Sequence, residues 1–213
     1  MLVLTWGTYL AVRLLQPGVP LERVLKGLLM PALLVWVLAR VSGPAPKGLV
    51  LGLVLATVGD IAIDVNFIAG MLGFLGMQLC YIAGFVGLGA AGALRRRWPI
   101  ALAYAGIWAG ANLVLGPALG DLRLPVLVYS LAICVMAALG CGVNATVGLG
   151  AALFLISDAL IAVDRAGLDL PLGSALVMPT YLAGQYWIAS GWVRALATGG
   201  LGGRARASAL PAA

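Results

Sequence analysis

Long apolar segments, separated by short connections, run through nearly the whole sequence. Each is close to the roughly 20 residues that an α-helix needs to cross a bilayer. We predict eight of them, at residues 2–15, 24–40, 47–63, 67–92, 98–116, 124–141, 145–164 and 173–196. A chain with 63% hydrophobic and only 9% charged residues also lacks the polar surface that a soluble domain of this size requires. The pattern predicts an all-α polytopic membrane helix bundle with about eight transmembrane helices.

The rest of the composition adds little to this bundle. We expect a single transmembrane domain over residues 1–197 and a disordered cytoplasmic tail over residues 198–213, where Gly, Ala and Arg dominate. The N-terminus lacks a basic region and a small-residue cleavage site, so no signal peptide is predicted. The net charge of +6 does not indicate a nucleic-acid partner, because no basic stripe with interleaved aromatic residues occurs.

Basic residues divide unequally between the two sides that the segment order defines. One side carries eight, namely Arg40, Lys47, Arg95, Arg96, Arg97, Arg194, Arg204 and Arg206. The other side carries five, namely Arg13, Arg23, Lys26, Arg123 and Arg165. The positive-inside rule then predicts cytoplasmic N- and C-termini, in a plasma membrane of bacterial type.

Two aspartates lie within apolar segments, where an acid costs about 2.5–3.5 kcal/mol at mid-helix on insertion scales. Asp60 comes late in the third segment and Asp158 late in the seventh, so both belong to the outer half of the bilayer. Asp64 follows one turn after Asp60 at the water interface, where solvation suffices for it. The same count places further polar residues at outer or middle depth: Lys26, Gln78, Tyr81, Asn112, Tyr129, Ser130, Tyr181 and Gln185. We predict a polar chamber that opens outward.

The available chemistry is narrow because the chain contains no histidine. This excludes Ser-His-Asp hydrolysis and His-ligated zinc, and no phosphate-binding Gly-x-x-x-x-Gly-Lys loop is present. We expect neither a metal nor another cofactor. Two carboxyl groups in a low-dielectric cavity cannot both ionise cheaply, so one should stay protonated and the other ionised, paired with Lys26. That arrangement suits acid catalysis through a cation, as in cleavage of an acetal, a glycoside or a vinyl ether.

At these residues the sequence resembles the lysoplasmalogenase (YhhN-like) family of membrane proteins. The resemblance covers nearly the whole chain, in blocks at Lys26–Pro31, Gly59–Asp60, Phe74–Tyr81, Tyr129 with Met136, Gly150–Asp158 with Ala162, and Pro179–Gln185. It implies about eight transmembrane helices and hydrolysis of the vinyl ether bond of lysoplasmalogens to a fatty aldehyde and a glycerophospho-alcohol. Carried over, Asp60 and Asp158 are the catalytic pair, and the supporting residues are Lys26, Tyr81, Ser157, Tyr181 and Gln185.

Two positions depart from the family pattern. Gly27 follows the lysine where proline is common, and Gln78 stands where the family commonly has histidine. Two other functions remain open from the residues alone. Buried carboxyls also serve proton- or cation-coupled transporters, and a weak likeness between the stretches around Asp60 and Asp158 hints at a parallel repeat. A scaffold without chemistry would tolerate replacement of both aspartates.

Overall fold

The computed structural model describes residues 2–15, 20–168, 170 and 173–199. Within these ranges the chain is all-helical, with nine α-helices and no strand. The helices are α1 (Leu2–Leu15), α2 (Pro20–Leu38), α3 (Lys47–Ala62), α4 (Phe67–Gly87), α5 (Ala90–Arg96), α6 (Trp98–Leu115), α7 (Arg123–Val143), α8 (Ala145–Arg165) and α9 (Gly173–Ala197). Residues 200–213 of the predicted tail lie outside the described residues.

The predicted segments match the helices closely, with one error. The fourth segment, residues 67–92, is not one helix, because α4 ends at Gly87 and α5 begins at Ala90. Gly89 has a φ of 86°, a left-handed conformation that a helix cannot continue through and that glycine adopts without strain. The Leu88 amide closes α4 by donating to the carbonyls of Gly84 and Phe85. The apolar run alone concealed this break.

Four helical stretches in the described part are long and apolar enough to cross a membrane: Phe67–Gly87, Trp98–Ala118, Gly120–Val143 and Ala145–Arg165. The others depart from that pattern for different reasons. With 14 residues in α1 and 16 in α3, each is shorter than the roughly 20 that span a bilayer. In α2, three charges occur in the first two turns. In α9, tyrosine, glutamine and serine interrupt the apolar residues.

Six helices form a closed ring. In order around it, α2 packs on α3, α3 on α4, α4 on α7, α7 on α8, α8 on α9, and α9 returns to α2. This order places α3 and α8, the helices that carry Asp60 and Asp158, on opposite sides of the ring. Outside it, α1 packs on α2 and contacts α9, whereas α6 packs on α7 and has no buried residue.

Glycines let the ring close tightly at two helix pairs. A Cβ on Gly184 of α9 would lie 2.8 Å from the Gly150 carbonyl oxygen of α8, and one on Gly150 would lie 2.6 Å from the Ile188 nitrogen. A Cβ on Gly73 of α4 would lie 2.8 Å from the Gly59 Cα on α3. Such close backbone approach is how helices associate in lipid, where no hydrophobic effect drives them together.

We expect Gly184→Val to destabilise the bundle by about 1–3 kcal/mol, because the added methyl groups would overlap α8 backbone atoms that cannot move freely. The matched control is Gly106→Val on α6, where a Cβ meets nothing within 4 Å. Thermal unfolding of both variants in detergent measures the difference. Equal unfolding midpoints for the two variants would contradict tight α8–α9 packing.

Candidate active site

A chamber of about 350 Å³ opens at one end of the ring. Its lining comes from the last turns of α1, α3 and α8 and the first turns of α2, α4, α7 and α9, which all meet at that end. Six of the predicted site residues line it, namely Lys26, Asp60, Tyr129, Ser157, Asp158 and Tyr181. Counting segments had placed all of these except Ser157 at outer depth, and Ser157 came from the family resemblance; the structure brings them into one cavity.

Asp60 reaches the chamber from the last turn of α3 and is only 3% exposed. The Tyr181 hydroxyl, on α9, donates a hydrogen bond of 2.8 Å to its Oδ2 atom. The Tyr181 ring packs edge-on against Phe74 and at a tilt against Phe154, with centroids 5.9 and 5.7 Å away. These aromatic contacts fix the hydroxyl, so the bond between Asp60 and Tyr181 spans the interior of the ring at a defined position.

Asp158 reaches the same chamber from α8 on the opposite side and is half-buried. The Tyr129 hydroxyl, on α7, donates a hydrogen bond to its Oδ2 atom. The neighbouring Ser157 donates to the Val177 carbonyl of α9 at 2.9 Å, which ties α8 to α9 at the chamber wall. Each aspartate is therefore held at one oxygen by a tyrosine from another helix, and Oδ1 of each makes no hydrogen bond to the described residues.

Lys26 does not form the expected ion pair with Asp60 or Asp158. Its Nζ atom lies 2.6 Å from Oδ1 of Asp64, and this pair stands at the chamber mouth. The prediction was wrong because it treated Asp64 as fully solvated, although Asp64 lies one turn beyond Asp60 on the same side of α3. The long lysine side chain can extend to the more exposed carboxylate, where holding a charge costs less desolvation.

Two arginines at the chamber mouth were considered only as topology signals in the sequence. Arg13 of α1 contacts Oε1 of Glu22 at 2.9 Å and donates to the Ser174 carbonyl at 3.3 Å. Arg165, the last residue of α8, lies over the Phe67 ring at 4.2 Å from its centroid. Their position at the same ends of the apolar segments as Asp60 and Asp158 was the signal that could have identified them.

Three predicted site residues lie below or behind the chamber rather than on its lining. The Tyr81 hydroxyl donates to Oε1 of Gln185 at 2.9 Å, and the Gln185 amide nitrogen lies 3.0 Å from the Met77 sulfur. These contacts join α4 and α9 across the ring interior in a fully buried layer. Gln78 is also fully buried, and its amide lies near the Tyr129 hydroxyl, yet neither amide atom has a hydrogen-bond partner in the described part.

Asn112 lies apart from the chamber, between α6 and α7. Its amide nitrogen donates to the Trp108 carbonyl at 2.8 Å and to the Ser130 hydroxyl at 3.0 Å. It lines a smaller, mainly apolar groove of about 110 Å³ between α6, α7 and α8, which shares Tyr129 and Asp158 with the chamber. The sequence count gives only the depth of a residue. It did not distinguish the face of α7 toward the ring interior from the face toward α6, where Ser130 contacts Asn112.

We expect Gln78→Met to raise the free energy of unfolding by about 1–3 kcal/mol, because it removes two buried polar atoms that lack partners. The same substitution one layer away, Gln185→Met, should lower the free energy of unfolding by a similar amount, because the Tyr81 hydroxyl then loses its acceptor. Thermal unfolding in detergent compares the two. A loss of stability at Gln78 as large as at Gln185 would show that the Gln78 amide is satisfied.

The chain was compared with known proteins. No curated protein and no solved structure gives a significant match. A protein-family comparison matches residues 21–192, which is most of the chain and includes every residue that lines the chamber except Arg13. The chain belongs to the YhhN family.

Proposed function

We propose that this protein is a membrane lipid hydrolase that cleaves the vinyl ether bond of lysoplasmalogens or a related lysolipid. The observation that carries the proposal is the pair of aspartates on opposite helices, each bound at one oxygen by a tyrosine and each lining one chamber. The YhhN family includes lysoplasmalogenases, which agrees with this chemistry. The products would be a fatty aldehyde and a glycerophospho-alcohol.

Vinyl ether cleavage needs an acid and a stabiliser of positive charge. A protonated carboxyl gives its proton to the β-carbon, which converts the ether to an oxocarbenium ion, and an ionised carboxylate nearby stabilises that cation. Water then adds at the α-carbon and loses a proton, which restores the acid. The resulting hemiacetal breaks its bond to the glycerol oxygen and yields aldehyde and alcohol, with a net consumption of one water.

We assign the acid to Asp158 and the ionised carboxylate to Asp60. The Lys26–Asp64 pair lies close enough to Asp60 to act on its charge, whereas no described cation acts on the charge of Asp158. A nearby cation favours the ionised form of a carboxyl group. Because each tyrosine occupies Oδ2, the Oδ1 atom of each aspartate is the one available to substrate.

The proposal includes the membrane topology. We propose eight spans, α1 to α4 and α6 to α9, with α5 between the fourth and fifth and both termini in the cytoplasm. An even number of spans puts both termini on one side, and the chamber residues then share the other. The chamber would open to the outer face of a bacterial plasma membrane, where a lysolipid could enter from the adjacent leaflet.

A proton- or cation-coupled transporter is the competing use of the aspartate pair. Transport needs a polar route through the whole bundle. Beyond the layer of Tyr81 and Gln185, the ring interior is filled by Phe85 and Trp192, whose ring centroids lie 4.8 Å apart, and by fully buried aliphatic residues such as Leu33 and Leu49. This packing favours a site with one opening, which suits an enzyme.

We expect Asp158→Asn to lower kcat for vinyl ether hydrolysis by about 10²–10⁴-fold, the usual contribution of a general acid, with a comparable loss for Asp60→Asn. Aldehyde release from a lysoplasmalogen by the purified protein measures the rate. The control is Asp121→Asn, an exposed aspartate remote from the chamber lining, which should keep full activity.

Gel filtration of the same samples separates lost chemistry from lost folding. Full activity in both chamber variants would eliminate the carboxyl mechanism. Unchanged lysoplasmalogen with the intact wild-type protein would eliminate the proposed substrate.

The assignment of roles has a spectroscopic consequence. At neutral pH we expect a protonated-carboxyl band in the infrared spectrum of the wild-type protein, because Asp158 has no described cation beside it in a low-dielectric chamber, whereas Asp60 lies near Lys26. The band should vanish in Asp158→Asn and persist in Asp60→Asn. Loss of the band in Asp60→Asn alone would reverse the two roles.

A further inference from the structure

The mouth of the chamber is cationic, and its three cations differ in what they contact. Arg13, Lys26 and Arg165 all line the cavity. Arg13 is bound to Glu22 and Lys26 to Asp64, so these two positive charges are already balanced. Arg165 forms no ion pair and no hydrogen bond to any described residue, although it faces the same cavity.

Arg165 is nevertheless held in place. Its guanidinium carbon lies 4.2 Å from the centroid of the Phe67 ring, a cation–π contact. Phe67 itself is fixed as the first residue of α4, because the Asn66 side chain caps that helix by accepting from the Ala69 amide. None of the guanidinium N–H groups donates to a residue that the structure describes. An arginine positioned in this way presents free donors in the fork geometry that suits phosphate.

The position of Arg165 also matches that of the acid. It follows Asp158 by seven residues on α8, which is two turns, so both lie on the same face about 10 Å apart along the helix axis. The flexible arginine side chain can shorten that separation. In a lysophospholipid, the ether oxygen at one end of the glycerol and the phosphorus at the other are five bonds apart. A phosphate at Arg165 therefore leaves the ether bond near Asp158.

We propose that Arg165, supported by Phe67, binds the phosphate of a lysophospholipid headgroup and so positions the ether bond at the aspartates. The choice of the ether as the reacting bond rests on the proposed function, whereas the binding of the headgroup phosphate by Arg165 is a separate claim. A neutral glycerol ether without phosphate would lack this contact and bind more weakly. Arg165 is a positioning residue, so its loss should raise KM and leave kcat nearly unchanged.

Two saturated ether lipids test the proposal without any reaction. One is a 1-O-alkyl-glycerophosphoethanolamine, and the other is the same 1-O-alkylglycerol without phosphate. In nanodiscs, the wild-type protein should bind the phosphate lipid about tenfold or more tightly than the alkylglycerol, as expected for hydrogen bonds between charged groups. Arg165→Gln should remove most of that preference, and Arg165→Lys should keep part of it, because lysine retains the charge but not the fork.

The matched control is Arg40→Gln. Arg40 is also exposed and lies over an aromatic ring, that of Trp36 at 4.3 Å, but it follows the opposite end of α2 from Lys26 and does not line the chamber. Arg40→Gln should leave the preference for the phosphate lipid over the alkylglycerol unchanged. Equal binding of the two lipids by the wild-type protein, or equal weakening of both by Arg165→Gln, would overturn the proposal. Competition by inorganic phosphate without any lipid preference would also overturn it, in favour of a free-anion site.

The outcomes separate this inference from the proposed function. If the wild-type protein distinguishes the two lipids through Arg165 but releases no aldehyde from a lysoplasmalogen, the phosphate site stands and the vinyl ether reaction fails. If aldehyde is released and Arg165→Gln leaves KM unchanged, the reaction stands and the phosphate site fails. Gel filtration and the Arg165→Lys variant exclude misfolding as the cause of a loss.

Discussion

A polar side chain inside this bundle must find its partner within the protein, because the surrounding lipid offers none. That constraint explains the hydrogen bonds that span the ring. Asp60 is bound by Tyr181 of a non-adjacent helix, and Tyr81 is bound by Gln185 in the layer below. Because neither α3 nor α4 is a neighbour of α9 in the ring, these polar bonds act as cross-links through the ring interior, beside aromatic contacts such as that of Phe85 with Trp192.

The same constraint separates the two ends of the molecule. At one end, charged residues surround an open chamber, and ion pairs such as Arg13–Glu22 join different helices. At the other, the ring fills with aromatic and aliphatic side chains, and glycine permits the fit: a Cβ on Gly84 would lie 2.3 Å from the Trp192 ring. The site therefore has a charged mouth and acidic walls, and apolar packing begins beyond the buried layer of Tyr81 and Gln185.

Much of this could be predicted from the sequence. Apolar length located the helices, because lipid exposure requires unbroken apolar runs, and segment order placed Asp60, Asp158, Tyr129 and Tyr181 at one depth. Depth is only one coordinate, however. The rotation of each helix about its axis decides which residues face the ring interior. In lipid, both the inner and the outer face of a helix are apolar, so the order of apolar residues says little about that rotation. Asn112 was therefore grouped with the chamber, although it lies on α6 and contacts the face of α7 that points away from the ring interior.

Side-chain pairing was also beyond the sequence. Lys26 had three aspartates within plausible reach, and only the spatial arrangement shows that it contacts Asp64. The break at Gly89 escaped detection for a related reason, since glycine is frequent inside the other helices, where it serves close packing rather than a turn. Glycine thus ends a helix at one position and permits close helix packing at others, and only the neighbouring helix shows which role applies.

Gln78 lies behind the proposed catalytic pair. Its amide lies near the Tyr129 hydroxyl, which in turn holds Asp158, although it makes no hydrogen bond in the described part of the chain. An imidazole at this position could exchange a proton, whereas an amide can only donate or accept a hydrogen bond. Since Asp158 itself lines the chamber, proton transfer to substrate needs no relay through residue 78. The glutamine is therefore compatible with the proposed chemistry, provided that Asp158 regains its proton from water in the chamber rather than from behind.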